Sequence, residues 1–339
     1  MNDKNYQVAI LFNEDTQINK GNTQDLLAVQ YTVTVTQKLY EALTTQGYSV
    51  TKIAVRGNLE ELEDILASYP PKSTFIFNNC DGFNGSNHDA VKVIHLIERM
   101  GFKHTGAAAD SIEKCITKPA SKECLLQNGV PTPNYQVFDH AEGEFHLEYP
   151  VIVKPSVEDA SMGIELDSVV CNQESLFRKI AYIIEKYDEP AMVEEFITGR
   201  ELAVAMLGNE TIEVLPIAEE DFSWVANPLE QLLTYESKWV TDSPYYLNIP
   251  ARVPAALTTK EQQAIKKAAK DSFRAMGLRD FGRVDIRFKN GTPFIIDVNE
   301  LPDLSTESGF WNSARATGMS YPQMIERILK NALKREGWI

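Results

Sequence analysis

Arg283, Asp285, Asp297 and Asn299 have the residue types and the spacing to do chemistry together. They belong to the stretch Phe281–Pro302, in which two alternating runs flank Asn290-Gly291, the strongest short-range signal for a tight hairpin. Side chains alternate along a strand. Val284, Ile286 and Phe288 are therefore expected on a core face with Phe294, Ile296 and Val298, and the four polar residues on the other face. Two carboxylates and an amide oxygen are donors that suit a hard cation such as Mg²⁺, alongside phosphate oxygens and water. The guanidinium cannot ligate that cation but can stabilise an anion held beside it. An exposed hairpin with an ordinary Asp–Arg pair has the same residues, so the remaining chain must decide.

Other stretches add candidates. Pro150-Val-Ile-Val-Lys-Pro155 reads as a buried strand ending in a cation, and the small, polar Ser156–Gly163 follows it. Backbone N–H groups of such a loop can cradle phosphates, with Lys154 as a point charge; a plain surface turn is the alternative. In Ala191–Ala205 two strands meet at a bend at Gly199, and Glu194-Glu195 interrupt an apolar run. Adjacent carboxylates on a buried strand are costly unless partnered. Either they meet an adenine edge, with Glu201 on the ribose hydroxyls, or one faces solvent and the other forms a salt bridge. Thr234-Tyr-Glu-Ser-Lys-Trp239, with Lys238, opens a long aromatic and proline-containing segment that runs to Pro254, and an aperiodic segment of that length is usually a functional loop. The polar loop Asn78–Asn87 suits a ligand crevice or a simple connection.

The elements needed to position these residues can be read from periodicity. Strands at 6–12, 48–55 and 74–78 alternate with helices at 29–45, 59–68 and 89–100, the pattern of a parallel, doubly wound α/β sheet. Residues 1–112 thus form a first domain. Helices are expected at 118–128, with Pro119 in the first turn, at 259–276, and at 311–316 and 321–333 to close the chain. A length of 339 residues allows two or three cores. A net charge of -15 argues against nucleic acid or an anionic membrane as partner, but not against a nucleotide, whose pocket needs only a few local cations. Cys80, Cys115, Cys124 and Cys171 lack metal-type spacing and read as reduced thiols in a cytoplasmic protein. Met1-Asn-Asp-Lys-Asn leads directly into a strand, so no signal peptide is expected, and no apolar run has transmembrane length.

Taken together the motifs resemble the ATP-grasp superfamily, and within it the D-alanine–D-alanine ligase-like family. The resemblance covers roughly two thirds of the chain, from Lys118 to Leu329, several ordered motifs counting for more than any one. Its most specific piece is Asp297-Val-Asn-Glu-Leu-Pro302 with Ser308 and Gly318-Met-Ser-Tyr321; Glu98–Gly106 matches more loosely. It implies an α/β fold, α+β in the ATP-grasp part, of three subdomains: 1–112 on the substrate side, a central 113–205, and 206–339 with the catalytic hairpin. ATP would lie between the last two. Lys118 and Lys154 resemble the family's ATP-phosphate lysines, and Lys238 a further phosphate-contacting, catalytic lysine. Ser161 falls in the phosphate loop, Glu194 and Glu195 in the adenine hinge, and Glu201 at the ribose carboxylate. Asp285, Asp297 and Asn299 resemble the ligands of one or two Mg²⁺ ions (or Mn²⁺), with Asp297 where a Glu is more usual. Arg283 resembles the arginine that stabilises the transition state. Ser308 and Gly309 resemble the segment holding the carboxylate of the amine-donating substrate. The family also implies a homodimer.

The departures cluster where the first D-alanine is held. The family's glycine-serine-serine loop becomes Asp159-Ala160-Ser161, its tyrosine becomes Trp239, and its N-terminal glutamate is replaced by Gln30. Asp303 stands at an oxyanion-hole glycine, and Asn84 is nearest to an expected histidine. Losing a hydrogen-bonded set of this kind removes several kcal/mol of substrate recognition. The expectation is an ATP-dependent C–N ligase that joins an amino acid amine to a phosphorylated small-molecule acceptor other than D-alanine. The mycosporine–amino acid ligase branch has that logic. A genuine D-alanine–D-alanine ligase of cell-wall synthesis is the alternative, and a non-catalytic ATP-binding regulatory protein is the alternative of another class.

Overall fold

The computed structural model describes residues 6–14, 26–83 and 86–339. The side chain of Gln30, and Asn84 altogether, lie outside the described residues. The elements are β1 (Gln7–Asn13), α1 (Leu26–Thr45), β2 (Val50–Val55), α2 (Leu59–Ala67), β3 (Thr74–Asn79), α3 (Ala90–Arg99), β4 (Lys103–His104), α4 (Ala109–Ile116), α5 (Lys118–Gln127), β5 (Tyr135–Phe138), β6 (Val151–Pro155) and β7 (Val169–Val170). There follow α6 (Gln173–Tyr187), β8 (Ala191–Glu195), β9 (Arg200–Gly208), β10 (Ile212–Val214), β11 (Ala218–Glu220), α7 (Tyr235–Trp239), α8 (Pro244–Asn248), β12 (Ala251–Arg252), α9 (Thr259–Ala275), β13 (Asp280–Lys289), β14 (Thr292–Asn299), α10 (Gly309–Arg315) and α11 (Tyr321–Arg335).

Among the described residues three sheets form. The first, β2-β1-β3-β4, is parallel throughout, as the alternating strands and helices require. Leu39 and Leu43 of α1 and Ile328 and Leu329 of α11 pack on one side of it, and Leu62 of α2 and Ile94 of α3 on the other. The C-terminal helix thus covers the N-terminal sheet. The second sheet, β5-β8-β6-β7, is antiparallel and buries Val151, Val153 and Val193 against Leu176, Ile180 and Ile183 of α6. The third, β12-β11-β9-β13-β14 with β10 on β9, is antiparallel and is lined by Ile265, Ala269 and Phe273 of α9. Strand β9 runs across position 205.

The hairpin turn is where Asn290-Gly291 puts it, both residues having positive φ (51° and 83°). One expectation fails. A bulge shifts the register beside Asp285 and Ile286, so Ile286 faces Ile295 rather than Ile296. The core face consists of Val284, Ile286 and Phe288 with Pro293, Ile295 and Val298, while Phe294 and Ile296 are only partly buried. An extra residue in one strand reverses the alternation on one side of it. Asp297 and Asn299 lie beyond the bulge, so the polar face keeps its expected members.

Candidate active site

On that face Asp285 stands opposite Asp297, and Arg283 opposite Asn299. Arg283 grips Asp285 with two parallel hydrogen bonds, Nε to Oδ1 at 2.8 Å and Nη2 to Oδ2 at 2.9 Å, and Asn299 Nδ2 donates to Oδ2 at 3.3 Å. Burial would push the Asp297 carboxyl up, but Lys118, Lys154, Arg283 and Lys238 together hold it below the usual carboxylate range. Cations from four separate stretches are therefore near enough to bias one carboxylate.

Lys118 Nζ lies 3.0 Å from Asp159 Oδ1 and 3.9 Å from Asp297 Oδ1. Asp159 is pushed up by burial, despite Lys118 and helped by Asp297. Lys154 Nζ donates to Glu194 Oε1 at 2.6 Å, and Lys122 Nζ is 2.6 Å from the other oxygen. Burial works against ionisation of Glu194, yet the two lysines hold it below its ordinary value. Its side chain is thus engaged in a buried ion triplet, the salt-bridge alternative for this residue, and is 3 % exposed. Glu195 instead accepts from Asn134 Nδ2 at 3.0 Å. Glu201 pairs with Arg287 at 2.6 Å. Lys238 is half-buried on α7 and has no ion-pair partner within reach among the described residues.

The loop after β6 turns sharply, with Ala160 and Ser161 both at positive φ (54° and 62°). Ser161 Oγ donates to Leu233 O at 3.0 Å, and Trp239 Nε1 donates to Ala160 O at 3.0 Å. The two departures at 160 and 239 therefore touch: an indole N–H reaches the backbone where a hydroxyl is missing. Trp239 also packs edge-on against Tyr31, the neighbour of Gln30, at 5.9 Å. Ser308 caps α10, accepting from Trp311 N at 3.1 Å and donating to Ser305 O at 2.8 Å, so its hydroxyl is committed to the helix start; Gly309 follows it there. Asp303 accepts from Ser305 N and Oγ, both at 2.7 Å, and lies close enough to Arg283 to feel its charge.

The family profile described as D-ala D-ala ligase C-terminus matches residues 125–330. The chain belongs to the D-alanine–D-alanine ligase family. Similar proteins include the uncharacterized protein y4sG of Sinorhizobium fredii, 34% identical over 83% of this chain and 81% of that one. A D-alanine–D-alanine ligase of Desulforudis audaxviator is 31% identical, covering 87% and 91% of the two chains. Among solved structures, the D-alanine–D-alanine ligase of Bacillus anthracis complexed with ATP superposes with a TM-score of 0.75 at 18% identity, over 98% and 99% of the two chains. The VanG D-Ala:D-Ser ligase of Enterococcus faecalis gives 0.71 at 20%, over 97% and 99%. The fold is the mixed α/β ATP-grasp architecture, and the chain is an ATP-dependent ligase of the D-alanine–D-alanine ligase type.

For a member of this ligase family the ribbon's donor set fits Mg²⁺. Asp285 and Asp297 face each other on neighbouring strands, and with the amide oxygen of Asn299 they would offer a hard cation oxygen ligands beside the charges of Arg283 and Lys118. Among the described residues no cluster of three His, Cys, Asp or Glu side chains could hold a metal, and the set here is two carboxylates and the amide of Asn299. Four site residues were not singled out in the sequence. Lys122 is one helical turn from Lys118, and Arg287 is two strand positions from Asp285; both spacings are readable signals. Asp159, noted only for its place in the altered loop, gives no signal that it would sit on Lys118. Glu220, at the end of β11 and within the charge fields of Glu201, Lys238, Asp285 and Arg283, gives none either.

Proposed function

We propose that this ligase phosphorylates a substrate carboxylate with ATP and then joins an amino acid amine to it. What supports the reading is the pairing of Asp285 with Asp297 and of Arg283 with Asn299 on one face, with Lys118 3.9 Å from Asp297 and the charges of Lys154 and Lys238 also felt there. Lys118, Lys154 and Lys238 neutralise the phosphates. Asp285, Asp297 and Asn299 would hold Mg²⁺, and that ion would supply charge compensation to the phosphoryl group. In the first step a carboxylate oxygen bonds to the γ-phosphorus as the bond to the β-phosphate oxygen breaks, giving an acyl phosphate and ADP. In the second the amine bonds to the carbonyl carbon and gives up a proton, and phosphate departs. Arg283 stabilises the oxyanion that forms on the way. The protein would work in the cytoplasm as a homodimer, its chain divided at about 112 and 205 into the three subdomains of the architecture.

Two acceptors are supported. The hydrogen-bonding set altered at Ala160, Trp239 and Gln30, with Asp303 beside Arg283, favours an acceptor other than D-alanine. The names of relatives 27–31% identical favour D-alanine itself. Nothing in the chemistry of the site selects a mycosporine ring over another acceptor. The test is ADP release with Mg²⁺-ATP and paired acids and amines, with D-alanine as one pair. Release that requires both partners identifies the substrates. Tight Mg²⁺-ATP binding without turnover across the panel would instead mark a regulatory nucleotide-binding protein.

A further inference from the structure

The face of the third sheet that carries Asp285 can be followed outward by register. Ala203 on β9 lies opposite both Asp285 on β13 and Ala218 on β11, and Glu201 lies opposite Arg287. Glu220 is two residues beyond Ala218, so it shares this face and falls beside Glu201 in the next row. Its neighbour Glu219 points the other way, where Arg200 holds it with two hydrogen bonds of 2.6 Å. Two residues along a strand span about 6.7 Å, so the Glu201–Glu220 row is one such step from the Asp285–Asp297 row. Beside Asp285 its own row presents only the small side chains of Ala203, partly exposed, and Ala218, buried.

Glu220 differs from the other carboxylates here. Asp285 has Arg283, Glu194 has two lysines and Glu201 has Arg287. Glu220 makes no hydrogen bond or ion pair among the described residues, although it is partly buried within the fields of Glu201, Lys238, Asp285 and Arg283. An acceptor kept partly buried and unpaired is costly, which marks it for a donor that arrives from outside. A phosphate would be repelled there. With phosphates at Arg283, Asp297 and the lysines, the next group along a nucleoside triphosphate is the ribose, which is uncharged and carries two hydroxyl donors.

We propose that Glu220 is a second ribose-recognising carboxylate, acting with Glu201 to select a ribonucleotide over a deoxyribonucleotide. The proposal rests on the ATP-ligase reading above and names a residue that decides which triphosphate enters. The test is calorimetric titration of the full chain with the Mg²⁺ complexes of ATP, 2′-deoxy-ATP and 3′-deoxy-ATP, using wild type, Glu220→Leu and the isosteric Glu220→Gln. Wild type should prefer ATP to at least one deoxy analogue by about tenfold or more, the scale of a hydrogen bond to a charged acceptor. Glu220→Leu should bind ATP about tenfold more weakly and that analogue as wild type does, so that the preference shrinks. Glu220→Gln should fall between them, and carries the test if the leucine variant does not fold. An unchanged preference in the variants, or equal weakening toward all three nucleotides, overturns the proposal while leaving the ligase reading intact. Failure of wild type to bind any of the three overturns both.

Discussion

Arg283 is poised by its fork on Asp285, and that geometry explains why a lysine should not replace it. A point charge on a flexible stem cannot hold the same two parallel bonds. If Arg283 stabilises the second-step oxyanion, Arg283→Ala should lower kcat ~10²–10³-fold, about 3–4 kcal/mol. Steady-state ADP release measures it, and a kcat near wild type removes the assignment. Glu220 gives a prediction read in stability. Burial first, then Glu201, raises its pKa from 4.5 to about 7. Between those values the folded protein holds more protons than the unfolded chain, so the slope of stability against pH from this group is negative. Its contribution is complete below 4.5 and is lost as pH rises through about 7. Urea midpoints of the nucleotide-free protein should therefore fall less over this window in Glu220→Gln than in wild type. Parallel curves would show that the carboxyl is not held in this state. The residues legible in the sequence were those with a spacing rule: alternation for Arg283, Asp285, Asp297 and Asn299. Glu194 was placed on the right strand, but its ion triplet depends on Lys122 and Lys154, which lie 72 and 40 positions away. No local pattern reports a pairing across such distances.

At the scale of elements, strands and helices were largely legible because their apolar periods are strong. The bulge was not. Phe294, Ile295 and Ile296 are all apolar, so either alternation fits this run and only pairing with β13 decides between them. The polar face survived because the bulge precedes Asp297. The loop after β6 could be read by composition as either a phosphate-covering loop or a surface turn, whereas its tie to α7 through Trp239 and Ala160 could not be read at all. Gly163 ends that loop at φ 73°, and a Cβ added there would lie 2.6 Å from Pro155 Cγ and 3.1 Å from Tyr187 Cε2. Both obstacles are ring atoms of packed residues. Gly163→Ala should therefore cost about 1–3 kcal/mol, by overpacking and by the left-handed backbone. Because Pro155 adjoins Lys154, ATP affinity should fall as well. Urea denaturation and nucleotide titration test the two effects, and an alanine variant matching wild type in both would show that the loop relaxes freely.

At the scale of the molecule, the weakly matching stretch Glu98–Gly106 joins the first sheet to the third. Asp280 is fully buried at the start of β13, at φ 67°. It accepts from Gly106 N at 2.9 Å, Asn209 Nδ2 at 3.1 Å, and Arg335 Nε and Nη2 at 3.0 and 2.8 Å. Arg335 also donates to His104 O at 2.8 Å, and Arg279 Nη2 lies 3.0 Å from His104 Nε2. The turn after β4, strand β13 and helix α11 thus meet at one carboxylate, three residues before Arg283. Removing one partner of such an ion pair leaves the other desolvated and unpaired. Asp280→Asn keeps a side chain that tolerates the left-handed backbone and deletes only the charge. It should cost about 3 kcal/mol, the low end for a buried pair because Arg335 still reaches solvent. If the β13–β14 ribbon carries the catalytic groups as proposed, the loss should also loosen its anchor, so kcat should fall along with the urea midpoint. A variant with lowered midpoint but wild-type kcat would show that the ribbon is positioned from β9 and β14 alone, and that α11 contributes only to the core.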